Sequence, residues 1–334
     1  MKAVQVPKPG ADFEIIERDT PSPQDNEVLI KVEACGICHS DNMVKEGHFP
    51  GIDYPRIPGH EVVGTIESVG ENVFQWEAGQ RVGVGWHGGH CFTCEPCRRG
   101  EFINCENAKI CGISYDGGYA EYMTAPQEAV ALIPEDLSSE EAAPLLCAGI
   151  TVYNGMRNSK LRAGDVVAVQ GIGGLGHLAI QYANKMGMKT VAISTSDSKK
   201  DLAEKLGAHH YINTDSQDPV KELQKLGGAD LIVATAPNAE AISSVIDGLA
   251  PNGELLCIGA TGEPVEVSTL QLIMGRKSIS GWASGTAIDS EDTLKFSAMT
   301  DTKPMIETFK LDDVEEAFEK MISNKARFRV VLVP

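Results

Sequence analysis

Residues 165–194 read DVVAVQGIGGLGHLAIQYANKMGMKTVAIS, and this stretch decides the fold. The apolar run VVAVQ leads straight into a glycine-rich turn. The helical periodicity of HLAIQYANKMG follows, and then a second apolar run, KTVAIS. Strands alternating with helical segments indicate a parallel, doubly wound sheet. Within the turn, Gly171, Gly173 and Gly176 form G-x-G-x-x-G around Gly174 and Leu175. Such a pattern means little by itself, but here it follows a strand and opens a helix, the context that a dinucleotide site requires. The first glycine permits the tight turn, and the second lets backbone approach a pyrophosphate. The third allows close helix–strand packing, with the helix N-terminus facing the phosphate charge. The alternation continues through ADLIVATA (229–236) and GELLCIGA (253–260), as expected of a Rossmann domain.

Upstream the texture differs. Residues 1–148 are rich in Gly, Pro and short β-like runs such as EVLIKVEACG (27–36) and EVVGTIESVG (61–70), which suggest an all-β core rather than helices. In SSEEAAPLL (138–146), Ser138 followed by Glu141 has the spacing of a capping box and should open a helix. The last fifty residues are mixed, with a helix expected near VEEAFEKMIS (314–323) and a strand in RFRVVLVP (327–334). There is no internal repeat and no low-complexity tract.

A length of 334 residues makes two domains the natural expectation, and 42% hydrophobic with 23% charged residues describes an ordinary soluble globular chain. No run of 18 apolar residues is present, which excludes a helical membrane span. The opening residues MKAVQVPKPG lack an apolar signal region and point to the cytoplasm. A formal net charge of −18 argues against nucleic acid or an anionic membrane surface as partner. An anionic cofactor would therefore have to bind through local basic groups and helix N-termini.

Nine cysteines are present, and Cys91, Cys94, Cys97 and Cys105 form C-x2-C-x2-C-x7-C. Clustered cysteines in a chain with no secretion signal favour metal over disulfides. Four thiolates so close in a loop suit a closed tetrahedral zinc site of structural role. An iron–sulfur cluster or unrelated thiols are the alternatives. The bacterial ferredoxin run, however, carries Pro after its fourth Cys and a shorter last gap, whereas Glu106 follows Cys105. Three further residues, Cys38 in CGICHSD, His60 in PGHEVVG and Cys147 in APLLCAG, are of the types that make a catalytic Cys2His zinc set with an open position. Spacing does not join them, and each also has a bland reading as a buried thiol or an ordinary histidine.

The segment GHEVVGTIESVG matches G-H-E-x2-G-x5-G through Gly59, His60, Glu61, Gly64 and Gly70. With CGICHSD, the four-cysteine lobe, LLCAGIT and GIGGLG in the same order, the whole chain resembles the zinc-dependent alcohol dehydrogenases of the medium-chain type. Within that family it is most similar to the microbial alcohol dehydrogenase and cinnamyl-alcohol-dehydrogenase-like groups.

The resemblance implies an α/β architecture with a GroES-like β domain at 1–148 and 285–334. A Rossmann domain is implied at 149–284, with the active site in the cleft between the two. It also implies Cys38, His60 and Cys147 as catalytic zinc ligands, with Glu61 as a nearby carboxylate able to join them, so that two zinc ions bind per chain. Asp41 would fix the His60 tautomer, and Ser40 would take the alcohol proton as zinc polarises the alcohol oxygen. His39 and Arg329 would contact cofactor phosphate, and Thr151 the nicotinamide. Ile258, Trp282 and Ser284 complete the implied cofactor set, and Phe49 and Trp86 the pocket walls. Many members carry a relaying His five residues after the first ligand; Met43 stands there in this chain and leaves the last relay step open, with His48 the nearest alternative.

Cofactor choice rests on the end of the second Rossmann strand, where NAD-binding units carry an acidic residue. Here Ser194, Thr195 and Ser196 occupy that stretch, followed by Lys199 and Lys200, a pattern resembling NADP-using cinnamyl alcohol dehydrogenases. NADP is therefore expected, with Asp197 as the residue that would favour NAD. The expected activity is hydride exchange between NAD(P) and a primary alcohol or aldehyde, in a homodimer or homotetramer. A sugar or polyol dehydrogenase, a zinc-free quinone or enoyl reductase of the same superfamily, and a zinc-ribbon binding module are the alternatives.

Overall fold

The run Val166–Gln170 is a strand buried along its whole length, and it sits third in a six-stranded sheet. The order is His210–Asn213, Lys189–Ser194, Val166–Gln170, Ala229–Ala234, Leu249–Cys257 and Ser278–Gly281. Every neighbouring pair is parallel. The order reverses at Val166–Gln170, so the glycine turn that follows it lies at the switch point where doubly wound sheets bind ligands. Helix Gly176–Lys185 turns Leu178, Ala179, Ile180, Tyr182 and Ala183 inward. Val191, Ile193, Ile232 and Leu255 lie in the core on one face of the sheet, and each such buried side chain contributes about 1.5–3 kcal/mol.

The computed structural model describes residues 1–334, which divide into two compact units, Met1–Ile150 with Ser284–Pro334, and Thr151–Ala283. The first unit is built on a mixed seven-stranded sheet, ordered Ile306–Lys310, Arg329–Val333, Glu27–Ile37, Val62–Val69, Arg81–Val84 and Val130–Leu132. Strand Tyr122–Pro126 pairs with Glu27–Ile37 off that path. The C-terminal strand Arg329–Val333 thus lies beside the long N-terminal strand, so the last residues of the chain complete this sheet. Helix Val314–Ile322 buries Val314, Ala317, Phe318 and Met321 against the same core.

The β reading of residues 1–148 needs correction where helices His39–Lys45 and Glu95–Arg98 interrupt it, and the helix expected at 138–146 is a single α turn, Ser139–Ala142, followed by a 3-10 turn, Ala143–Leu146. Ser138 does cap as its spacing implies, accepting from the Glu141 amide, but Pro144 removes a donor and the α pattern stops there. Helix Ala287–Thr300 has no strong apolar stripe and was not foreseen in the sequence. No helix is long and apolar enough to cross a membrane.

Gly176 shows how tightly the glycine turn is built. A Cβ there would come within 1.9 Å of the Gly171 carbonyl oxygen, whereas one on Gly173 would meet nothing within 4 Å. Gly176→Ala should lower stability by about 1–3 kcal/mol in urea unfolding, as overpacking does. Gly173→Ala should stay within about 0.5 kcal/mol of the parent. Equal losses in the two variants would contradict this account of the turn.

Candidate metal and dinucleotide sites

Strand pairing brings distant residues together. Cys35 lies opposite Val62 in the antiparallel pair of Glu27–Ile37 and Val62–Val69, and the Gly36 amide donates to the Glu61 carbonyl at 3.0 Å. The chain leaving the first strand at Cys38 therefore meets the chain that enters the second through His60 and Glu61. Cys147 follows the buried turn Ala143–Leu146, whose Leu146 lies over Gly83 of the adjoining strand. Cys38, His60, Glu61 and Cys147 each present one donor atom, all within 4.8 Å of one another. The Cys38 and Cys147 sulfurs are 3.8 Å apart, and Ser40 Oγ is 3.8 Å from Cys38 Sγ.

Asp41 organises this end of the sheet. It lies in the first turn of helix His39–Lys45, buried, and its Oδ2 accepts the Cys38 amide at 2.8 Å. Its Oδ1 faces His60 Nδ1 at 3.1 Å, so a proton on that nitrogen donates to the carboxylate. His60 Nε2 and Glu61 Oε2 are buried with no protein partner. Such atoms cost about 1–3 kcal/mol each when unsatisfied, so two of them beside two thiols fit a metal ion. The only sequence signal for the helix was the Cys38-x-x-Asp41 spacing, which is that of a capping box.

The surrounding charged groups act on one another. Burial raises the Glu61 carboxyl to about 7 even though the Arg329 guanidinium beside it pulls the other way. The Cys38 thiol is held well below its ordinary value, first by its hydrogen bond with Cys147 and then by His60 and Arg329. The Cys147 thiol is raised well above its ordinary value, first by the same hydrogen bond and then by burial. Burial lowers His60, but the Asp41 charge and hydrogen bond outweigh it and its net shift is well upward. Arg329 is 6% exposed, donates from Nη2 to the Ile37 carbonyl at 3.2 Å, and pairs with the Glu61 carboxylate. Its Nε has no protein partner. This ion pair had no signal in the sequence, because its two partners are 268 residues apart.

Trp86 stands edge-on to the His60 ring at 5.1 Å, and Phe49 stands edge-on to Trp86 at 6.3 Å. His39 is exposed, Ser40 half-buried, and Met43 37% exposed on the same helix.

A second donor group lies in the lobe at 91–105, where Cys91, Cys94, Cys97 and Cys105 also fall within 4.8 Å of one another. Backbone amides of Cys91 and Asn107 donate to the Cys105 sulfur at 3.3 Å, and that of Cys94 to the Cys91 sulfur at 3.4 Å. The Thr93 hydroxyl, with nearby amides and Asn107, holds the Cys91 thiol down at about 5. Amides aimed at sulfur favour thiolate, the form that binds metal.

The glycine turn is fastened from several sides. Thr235 Oγ1 donates to the carbonyls of Gln170 and Gly171 at 2.9 and 3.1 Å, a contact with no signal in the sequence. The buried His177 faces the Gly173 carbonyl through Nδ1 at 2.9 Å, and Leu175 precedes the helix in αR conformation. Lys199 Nζ donates to the Ile172 carbonyl at 2.7 Å, so this lysine folds over the turn, while Lys200 is exposed. Ser194 and Ser196 are half-buried, Thr195 and Asp197 exposed, and Ser196 caps the turn Asp197–Lys199. The Ile258 amide donates to Ala234 and that of Trp282 to Cys257. Thr151 opens the sheet unit, half-buried, while Ser284 lies buried in the other unit at φ +43°.

Comparison with known proteins agrees with these features. Residues 24–135 match the alcohol dehydrogenase GroES-like domain, and residues 174–299 the zinc-binding dehydrogenase domain. Alcohol dehydrogenase patD of Penicillium expansum is 47% identical over 97% of this chain and 94% of its own. Among solved structures, the cinnamyl alcohol dehydrogenase of Helicobacter pylori complexed with NADP(H) superposes with TM-score 0.88 at 28% identity, covering 99% and 97% of the two chains. A structure described as an NAD-dependent alcohol dehydrogenase superposes with TM-score 0.92 at 28% identity over 100% of both. This chain belongs to the zinc-binding alcohol dehydrogenases of the medium-chain superfamily, enzymes that exchange hydride between NAD(P) and an alcohol.

Proposed function

We propose that the chain is a two-zinc, NADP-preferring dehydrogenase of neutral primary alcohols and aldehydes. The observation that carries the catalytic site is the buried, unpartnered His60 Nε2 among Cys38, Cys147 and Glu61. Those four residues would hold one zinc ion, and Cys91, Cys94, Cys97 and Cys105 a second, closed one. When bound, the first zinc supplies Lewis acidity towards the alcohol or carbonyl oxygen, and the dinucleotide supplies the hydride chemistry.

The chain's own residues do the rest. Asp41 holds the His60 proton on Nδ1, so that Nε2 keeps its lone pair. Ser40 Oγ, beside Cys38, accepts the proton that leaves the alcohol on oxidation and returns one on reduction. Trp86 and Phe49 give the substrate an apolar wall, which suits an uncharged alcohol or aldehyde. Met43 cannot carry a proton, so the proton held at Ser40 Oγ would pass to water without a side-chain relay at position 43. Exposed Leu270, Ile273 and Met274, together with edge strand Ser278–Gly281, support a homo-oligomer. Nine cysteines without a disulfide among them suit a reducing compartment such as the cytoplasm.

Cys38→Ser should leave the protein folded with about one zinc fewer and no turnover. Cys94→Ser should lower its melting temperature, because structural metal contributes folding free energy. Normal turnover and undiminished zinc in Cys38→Ser would overturn the site. Ser40→Ala should cost on the order of a hundredfold in kcat, as expected for a lost proton acceptor. A loss of only about twofold would show that the proton leaves by another route.

For the cofactor, Lys199 folded over the turn, with Ser194, Thr195 and Ser196 at the strand end, favours a 2′-phosphate. Assays of an alcohol and aldehyde panel should give a higher kcat/KM with NADPH than with NADH. Lys199→Ala should reduce the NADPH value about tenfold and spare the NADH value, since a hydrogen bond to a charged group is worth about 1.5–3 kcal/mol. A clear NADH preference, or highest efficiency on a phosphorylated or acidic substrate, would contradict this reading.

A further inference from the structure

Asp41 has a third donor beyond Cys38 and His60. The Tyr119 hydroxyl donates to its Oδ2 at 3.0 Å, and Tyr119 is completely buried. We infer that Tyr119 is a positioning residue for the metal site, keeping Asp41 turned so that Oδ1 is left for His60 alone. The inference rests on the reading of Cys38, His60 and Cys147 as zinc ligands.

The division of labour on the carboxylate is unequal. Oδ2 takes two donors, the Cys38 amide at 2.8 Å and the Tyr119 hydroxyl at 3.0 Å, while Oδ1 takes only His60 Nδ1 at 3.1 Å. A carboxylate held by two donors on one oxygen cannot rotate without breaking a charge-assisted bond in a buried place, where such bonds are strongest. Burial, and then the Asp41 charge, raise the Tyr119 phenol well above its ordinary value, so it remains a donor.

The phenol is itself fixed by the segment it serves. Tyr119 N donates to Pro58 O at 3.1 Å, the Gly118 amide to Gly59 O at 3.1 Å, and the Val4 amide to Tyr119 O at 2.8 Å. Gly59, the residue before His60, has φ +102°, and a Cβ there would lie 2.6 Å from the Tyr119 ring. The ring thus occupies space left by a missing side chain next to His60, and its hydroxyl reaches the carboxylate that orients His60. One residue sets both the backbone leading into the ligand and the group behind it. The Tyr119 hydroxyl hydrogen-bonds to Asp41 alone, so its influence on the donor cluster passes through that carboxylate.

Tyr119→Phe keeps the ring and removes only the hydroxyl, so the purified variant should stay folded with both zinc ions bound. Release of the catalytic zinc to a colorimetric chelator should be about 10–100-fold faster than in the parent, with kcat reduced and the KM for the dinucleotide unchanged. In an Asp41→Asn background the same change should add little further effect, because the two residues act in series. An unchanged release rate, or an effect that persists undiminished in Asp41→Asn, would overturn the inference. Parent protein that carries only one zinc would instead overturn the metal-site reading on which it rests. If Tyr119→Phe lowered the melting temperature but left zinc release and kcat alone, its role would be packing only and the inference would fail.

Discussion

The buried hydrogen bond between Asp41 and His60 is the constraint on which the candidate catalytic site depends. It fixes which histidine nitrogen carries the proton, and therefore which one faces the two thiols and the Glu61 carboxylate. It also explains a local feature of the fold, because the same carboxylate caps the helix that begins after Cys38. One side chain thus closes a helix end and aims a ligand, so the geometry of the site cannot relax independently of the backbone that carries it.

Around that bond the charges are arranged in opposition. Glu61 and Arg329 are both nearly inaccessible to water, and each is tolerable there because of the other. Removing one partner of such a buried pair typically costs about 3–5 kcal/mol, since the remaining charge has no solvent. Arg329 reaches Glu61 because Val330 pairs with Ile37, and this register holds the guanidinium at the end of the strand that delivers Cys38. A cation there also draws the Cys38 thiol towards thiolate.

Much of this was legible in the sequence, for identifiable reasons. The parallel sheet was readable because buried strands and an amphipathic helix alternate around a glycine turn whose spacing is dictated by sterics. The four-cysteine lobe was readable because its ligands are local. Cys38, His60 and Cys147 were not, since only the antiparallel pairing of two strands and the turn after Ala143 bring them together, and resemblance had to supply what spacing could not. Helix His39–Lys45 escaped because seven residues carry too little periodicity. Thr235, Tyr119 and the Glu61–Arg329 pair escaped because each acts through a long-range contact. An isolated Thr, Tyr or Arg in the sequence looks like any other.

The central claim is that His60, oriented by Asp41, joins Cys38 and Cys147 in holding a metal separate from the four-cysteine site. X-ray absorption at the zinc edge of the purified protein tests it most directly. The account predicts two equivalents of zinc with an average of about three sulfur ligands and one nitrogen or oxygen ligand per ion. One equivalent of zinc bound by sulfur alone would contradict it.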